Sequence, residues 1–135
     1  MVNFLFYFVL YSALMSTTSI SANMNNVPML NGTNFKDWKE NILIVLGCMD
    51  IDLTLRMSKP NDLIEQSTYE EIAYFEKWDR SNRLSLMIMK RGIPEVFRGA
   101  ITDDVTIANQ FLSEIQKRFA KNDKAETSML LASLI

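Results

Sequence analysis

From Val105 to Phe119 apolar residues recur at steps of three and four: Val105, Ala108, Leu112, Ile115 and Phe119. A strand would need a step of two, so this seam is one face of an α-helix. The same period returns in Phe35, Trp38, Ile42, Val45 and Leu46, and in Ile72, Phe75, Trp78, Leu86 and Met89, where Asn82 interrupts the stripe. Four Gly and three Pro are all that punctuate 135 residues, which favours long regular elements. Strict alternation is rare. The expected fold is therefore all-α, a small helical bundle, and the chain is long enough for one domain with a real core.

Local signals set the expected boundaries. Asn34 is placed as the N-cap of the first helix, with Asp37 at its third position and Gly47 placed to stop it. The run Asp50 to Met57 alternates loosely and is compatible with a short extended piece or a turn of helix. Ser58 to Asp62 reads as a loop. Ser67-Thr-Tyr-Glu70 fits a capping box opening a long helix to about Lys90, closed by Gly92. Glu76 with Arg80, and Asp79 with Arg83, stand four apart as helical ion pairs. Leu84 to Met89 is apolar nearly all round, which predicts burial on several sides. Pro94 suits the first turn of a short helix to about Gly99. Thr102 or Asp103 is the expected cap of the next helix, to about Lys121. Asp123 to Glu126 opens a last one, made apolar by Met129, Leu130, Leu131 and Leu134. That helix is cut at Ile135 without an obvious partner, so truncation is the expectation.

The N-terminus differs from the rest. No charged side chain precedes Lys36, and Phe4 to Met15 is an apolar, aromatic-rich run. It is short for a membrane span, which needs roughly 20 residues, and it matches the apolar region of a signal peptide. Ser19-Ile20-Ser21-Ala22 offers a loose cleavage site, but the usual basic flank is missing. Three readings stand: a signal or anchor, a non-native extension with Met15 or Met24 as the true start, and a buried N-terminal helix. Ser16 to Asn31, rich in Ser, Thr and Asn, reads as a flexible arm.

Composition narrows the chemistry. The formal net charge is −2, without the basic excess of a strong nucleic-acid binder. The sequence has no His and a single Cys, so it contains neither an intrachain disulfide nor a Cys/His zinc site. Asp50 and Asp52 form a possible divalent-metal pair, but a solvated turn is the plainer reading. Cys48 reads as a small buried residue rather than a reactive thiol. Trp38 and Trp78 have the chemistry of base-stacking platforms, yet their apolar stripes point to core packing. Lys117, Arg118, Lys121 and Lys124 form a modest basic run that has the charge to touch phosphates and also suits a solvated helix end. Isolated glycines make no phosphate-cradling loop. No spacing argues for a general acid or base, and no cofactor is expected.

One stretch does carry a family signal. Leu30-Asn-Gly-Thr-Asn-Phe35-Lys-Asp-Trp38 continues through Ile42 and Leu46-Gly47-Cys48 to Asp52. It resembles the start of the gag polyprotein of plant copia-type retrotransposons. Asp79 to Met89 around Trp78 resembles that family's second core helix. Gln110 to Phe119, with Leu112, Ile115 and Phe119, and Lys121 to Leu131 resemble the helices that follow. The resemblance covers about Met24 to Ile135 and divides the chain into an N-terminal extension and linker (1–23) and a gag-like helical domain (24–135). It implies a capsid-like, non-enzymatic protein that associates with itself or with related gag proteins around element RNA in the cytoplasm. The family's zinc knuckle and the second half of its capsid-like region are missing from this sequence. Two alternatives follow from the residues: a small secreted or membrane-anchored helical protein using residues 4–15, and a weak RNA-binding module using the basic run.

Overall fold

The computed structural model describes residues 27–99, 101 and 104–119, and among them every regular element is helical. In chain order these are α1 (Phe35–Cys48), α2 (Leu53–Arg56), α3 (Tyr69–Arg91), α4 (Glu95–Arg98) and α5 (108–119). The all-α expectation is met. The Phe4–Met15 run, the helix caps Thr102 and Asp103, and the apolar segment from Asp123 to Ile135 lie outside the described residues.

A single apolar cluster joins these elements. It takes Phe35, Trp38, Ile42 and Leu46 from α1, Ile88 and Met89 from α3, and Ala108, Phe111, Leu112, Ile115 and Phe119 from α5. Leu30, Ile51, Ile93 and Ile101 enter it from the connecting segments. Each such side chain contributes roughly 1.5–3 kcal/mol by leaving water, so this cluster is the main source of stability. The α5 seam predicted from steps of three and four is the buried face of that helix. Val105 precedes the helix and is half-buried, and α5 begins at residue 108 rather than at Thr102 or Asp103.

The first helix does not stop at Gly47. Gly47 lies inside α1 and is exposed; the chain turns at Asp50, whose φ is 54°. The Ile51 amide donates to the Leu46 carbonyl at 3.0 Å and the Asp50 amide to the Gly47 carbonyl at 3.1 Å. This pair of bonds is a Schellman closure, with Asp50 in the left-handed position that usually goes to glycine. Aspartate tolerates it better than most residues. Ile51 and Leu46, both in the core, supply the apolar contact that accompanies such a closure.

The start signal of α3 is displaced by one residue. The capping box at α3 uses Thr68 and Glu71, not Ser67 and Glu70. Glu71 N donates to Thr68 Oγ1 at 3.1 Å and Thr68 N donates to Glu71 Oε2 at 3.3 Å. Ser67 Oγ instead accepts from the Ile64 amide at 2.8 Å, shaping the loop before the helix. Asn34 is the residue before α1 but its side chain caps nothing there. Of the two expected ion pairs on α3, Arg83–Asp79 forms at 3.0 Å and Glu76–Arg80 does not.

The long helix is covered along only part of its length. At about 34 Å α3 outruns the core: none of residues 69–77 is buried, and Phe75 is half-buried. Ile72, placed by periodicity on the core stripe, is exposed. The expectation of burial all round from Leu84 to Met89 also fails, because Met87 is 66% exposed while Ser85 is fully buried. The buried line runs Trp78, Ser81 and Asn82, Ser85, then Ile88 and Met89. It passes through polar residues rather than through Leu86.

Candidate functional site

The residues that carry the family signal gather around one turn and one carbonyl. Gly32 has a φ of 88°, a conformation that side chains with a Cβ resist. Asn31 Oδ1 accepts from the Thr33 amide at 3.0 Å, the Thr33 hydroxyl at 2.9 Å and the Asn34 amide at 3.1 Å, folding the chain tightly around that glycine. Asn34 reaches backward: its Oδ1 accepts from the Asn31 amide at 2.9 Å and its Nδ2 donates to the Met29 carbonyl at 2.8 Å. The turn sets Leu30 in the core, and its amide donates to the Gly92 carbonyl at 2.9 Å. Trp38 Nε1 donates to the same oxygen at 3.1 Å. Gly92 needs its missing Cβ for a steric reason, since one built there would stand 2.8 Å from Trp38 Nε1.

Both tryptophans are thus structural. Trp38 and Trp78 are buried, and Trp78 Nε1 donates to the Met57 carbonyl at 3.0 Å. Neither ring face is open to a base. Phe35, Ile42, Leu46, Leu112, Ile115 and Phe119 are likewise core residues, while Asn31 is exposed and Gly32 half-exposed in the turn.

A second constellation was not foreseen. Ser81, Asn82, Ser85 and Thr54 form a buried polar hub between α2, α3 and the start of α5. Ser81 Oγ donates to the Ile51 carbonyl at 2.6 Å and accepts from the Thr54 amide at 2.9 Å. Ser85 Oγ donates to the same Ile51 carbonyl at 2.9 Å. Asn82 Oδ1 accepts from Thr54 Oγ1 at 2.9 Å and from the Ala108 amide at 2.8 Å, and its Nδ2 donates to the Thr106 carbonyl at 2.8 Å. Asn82 therefore caps α5 from across the fold. The residue that interrupted the predicted stripe is its organiser. The available signal was the seven-residue interval from Trp78 to Ser85, which keeps helical phase with Met89 (78, 82, 85, 89) if polar residues are allowed on the face.

The other candidates stand apart. Asp52 precedes α2 and pairs with Arg56 at 3.4 Å, while Asp50 is exposed in the turn described above. Among the described residues no group of three His, Cys, Asp or Glu side chains could hold a metal ion. Cys48 is exposed, not buried, because it falls with Ile44 on the outward face of α1, while Val45 and Leu46 of the same turn face the core. Lys117 and Arg118 are exposed on α5, Lys117 pairing with Glu114 at 3.1 Å; Lys121 and Lys124 lie outside the described residues. An open hollow of about 480 Å³ lies between the loop from Lys59 to Ser67 and the first turns of α3, with Leu63, Ile64, Glu71 and Tyr74 on its walls. A shallower groove between α1 and α5 is lined by Phe35, Lys39, Leu43 and Gln116, with Lys39 Nζ and Gln116 Oε1 3.1 Å apart across it. Among the described residues no helix is long and apolar enough to cross a membrane.

Compared with family models, curated proteins and solved structures, the chain matches none.

Proposed function

We propose that the chain is a non-enzymatic fragment of a copia-type retrotransposon gag protein, the N-terminal part of a capsid-like region, whose native role is association with itself or with related gag proteins in the cytoplasm. One observation supports this reading above the others. The motif residues act as scaffold: Asn31 and Gly32 make the turn, and Leu30, Phe35, Trp38, Ile42, Leu46, Trp78, Leu112, Ile115 and Phe119 are all buried. None of them lines a reaction centre. A motif that encodes a helical core, rather than a constellation of acids and bases, suits a shell protein. Large apolar side chains left in solvent, Ile64 and Tyr69 among them, are the kind of surface such a protein uses to meet its neighbours. With no His and one Cys in this sequence, nucleic-acid capture through a zinc knuckle forms no part of the proposal.

Sedimentation velocity of the purified full chain across a hundredfold concentration range, with negative-stain microscopy of the concentrated sample, tests it. Concentration-dependent oligomers or particles are expected, as is co-sedimentation with an intact copia-type gag. A chain that stays monomeric throughout and ignores the intact relative would remove the proposal.

A further inference from the structure

The charges on α3 are sorted by position. From Tyr69 to Asp79 there are four acids and one lysine; from Arg80 to Arg91 there are four cations and no acid. A helix dipole favours this order only in the first and last turns. Glu76, Asp79, Arg80 and Arg83 lie beyond those turns, so the dipole leaves half of the pattern unexplained.

Packing makes the two ends different in kind. The acidic half is the stretch that outruns the core, and it carries apolar side chains at the surface: Tyr69 is 92% exposed, Ile64 in the adjoining loop 65%, and Ile72 37%. The cationic half ends where Arg98, Lys117 and Arg118 outnumber two acids, Glu95 and the Glu114 that pairs with Lys117. Phe97 of α4 meets Phe119 of α5 edge to face at 5.2 Å, which brings Arg98 and the Lys117–Arg118 pair to the end of the molecule where α3 finishes with Lys90 and Arg91. Val96, 84% exposed, supplies an apolar spot among them. All of these cations are exposed.

We infer that the projecting acidic arm of one copy, around Glu70, Ile72 and Glu76, docks on the cationic end of a second copy, around Arg91, Val96 and Arg98. The inference rests on the self-association proposed above and names its surfaces. Contact of arm with arm, or of cationic end with cationic end, would repel, so charge complementarity selects arm against cationic end. Such a contact either closes reciprocally as an antiparallel pair of copies or repeats head to tail into rings or open chains. Apolar contact at Ile72 and Val96 supplies affinity, and the charges set orientation.

Charge reversal in the full chain tests this by sedimentation velocity. E70K/E76K turns the arm (Glu70, Glu71, Glu76, Lys77, Asp79) from net −3 to +1, and R91E/R98E turns the other end from net +3 to −1 once Glu95 and Glu114 are counted. Each variant alone is expected to associate at least about tenfold more weakly than the unaltered chain. Mixing the two is expected to restore association, because each then offers the end the other lacks. Salt near 0.5 M, where the screening length shortens to a few ångströms, is expected to weaken the unaltered chain's contact. All four positions are exposed and the one hydrogen bond lost is that from Arg98 Nε to the Ile93 carbonyl at 2.9 Å, outside α3, so circular dichroism should show nearly unchanged helix content. Variants that associate normally, or a mixture that stays apart, would overturn the inference while leaving self-association standing. Failure of the unaltered chain to associate at all would overturn both. Salt-sensitive binding of a short RNA by the cationic end, with no contact between copies, would assign that end to RNA and overturn the inference.

Discussion

Replacing Asn82 with Ala should loosen the start of α5 from α2 and α3, leaving the helix held by its apolar face. The substitution removes three hydrogen bonds made by one buried carboxamide: from Thr54 Oγ1, from the Ala108 amide and to the Thr106 carbonyl. Leaving a buried donor without a partner costs about 1–3 kcal/mol. The Ala108 amide is the buried donor here and bears the full penalty, because Ala108 is completely enclosed. The Thr54 hydroxyl, also buried, adds about 1 kcal/mol. The Thr106 carbonyl is reachable by water and adds little. A loss of about 3 kcal/mol follows, near the upper end of ordinary single substitutions. Urea unfolding followed by tryptophan emission measures it directly, since Trp38 and Trp78 are both buried in the folded chain. Asn82→Asp separates the parts: it keeps an acceptor for Ala108 and Thr54 but sets an oxygen against the Thr106 carbonyl, so it should destabilise through that contact. Thr54→Val combined with Asn82→Ala should fall short of additivity by about 1 kcal/mol, as expected for two members of one network. A loss below about 1 kcal/mol for Asn82→Ala would refute the assignment of Asn82 as the cap of α5.

Four further outcomes are expected. Gly92→Ala should cost about 2–3 kcal/mol, because its Cβ would stand 2.8 Å from Trp38 Nε1, and the Trp38 emission should shift as the indole leaves the Gly92 carbonyl. Gly32→Ala should cost about 1–2 kcal/mol through its φ of 88° alone, with Gly32→Asn milder, since nothing crowds the added Cβ. Thr68→Ala should speed amide exchange in residues 69–75 by roughly fivefold, the worth of about 1 kcal/mol, yet leave the urea midpoint nearly unchanged because that part of α3 adds nothing to the core; Ser67→Ala should leave this exchange unaltered. Cys48 should react with a thiol reagent in the native chain, and protection until unfolding would contradict its exposed position.

How much of this was legible beforehand follows the kind of force involved. Apolar periodicity found α1 and the α5 seam, because burial is decided by spacing along a single helix. The Asn34 position and Gly92 were also visible, as local chain geometry. The errors lie where a distant group decided a local choice. Periodicity put Ile72 in the core, but among the described residues only the Lys59–Ser67 loop lies beside that end of α3, and no helix packs over Ile72. Asn82 looked like a flaw in the stripe because its three partners are 24 to 28 residues away along the chain. Gly47 was the residue expected to end α1, and Asp50 took the left-handed position because the closure that seats Ile51 against Leu46 at the helix end reverses the chain there. Thr68 displaced Ser67 as cap because Ser67 was already engaged with the Ile64 amide. The turn at Asn31 and Gly32 was read as motif, and its geometry explains why those two residue types are needed there.

The single oxygen of Gly92 has a practical consequence. Two groups close together in the chain, the Leu30 amide and the Trp38 ring, moor to it across more than 50 residues of sequence. Tension applied upstream of residue 27 reaches an indole by way of one shared atom. Once Trp78 is replaced by Phe, the emission colour of Trp38 is a built-in gauge of whatever pulls on, cleaves or shields the leading part of the polypeptide, readable without any added label.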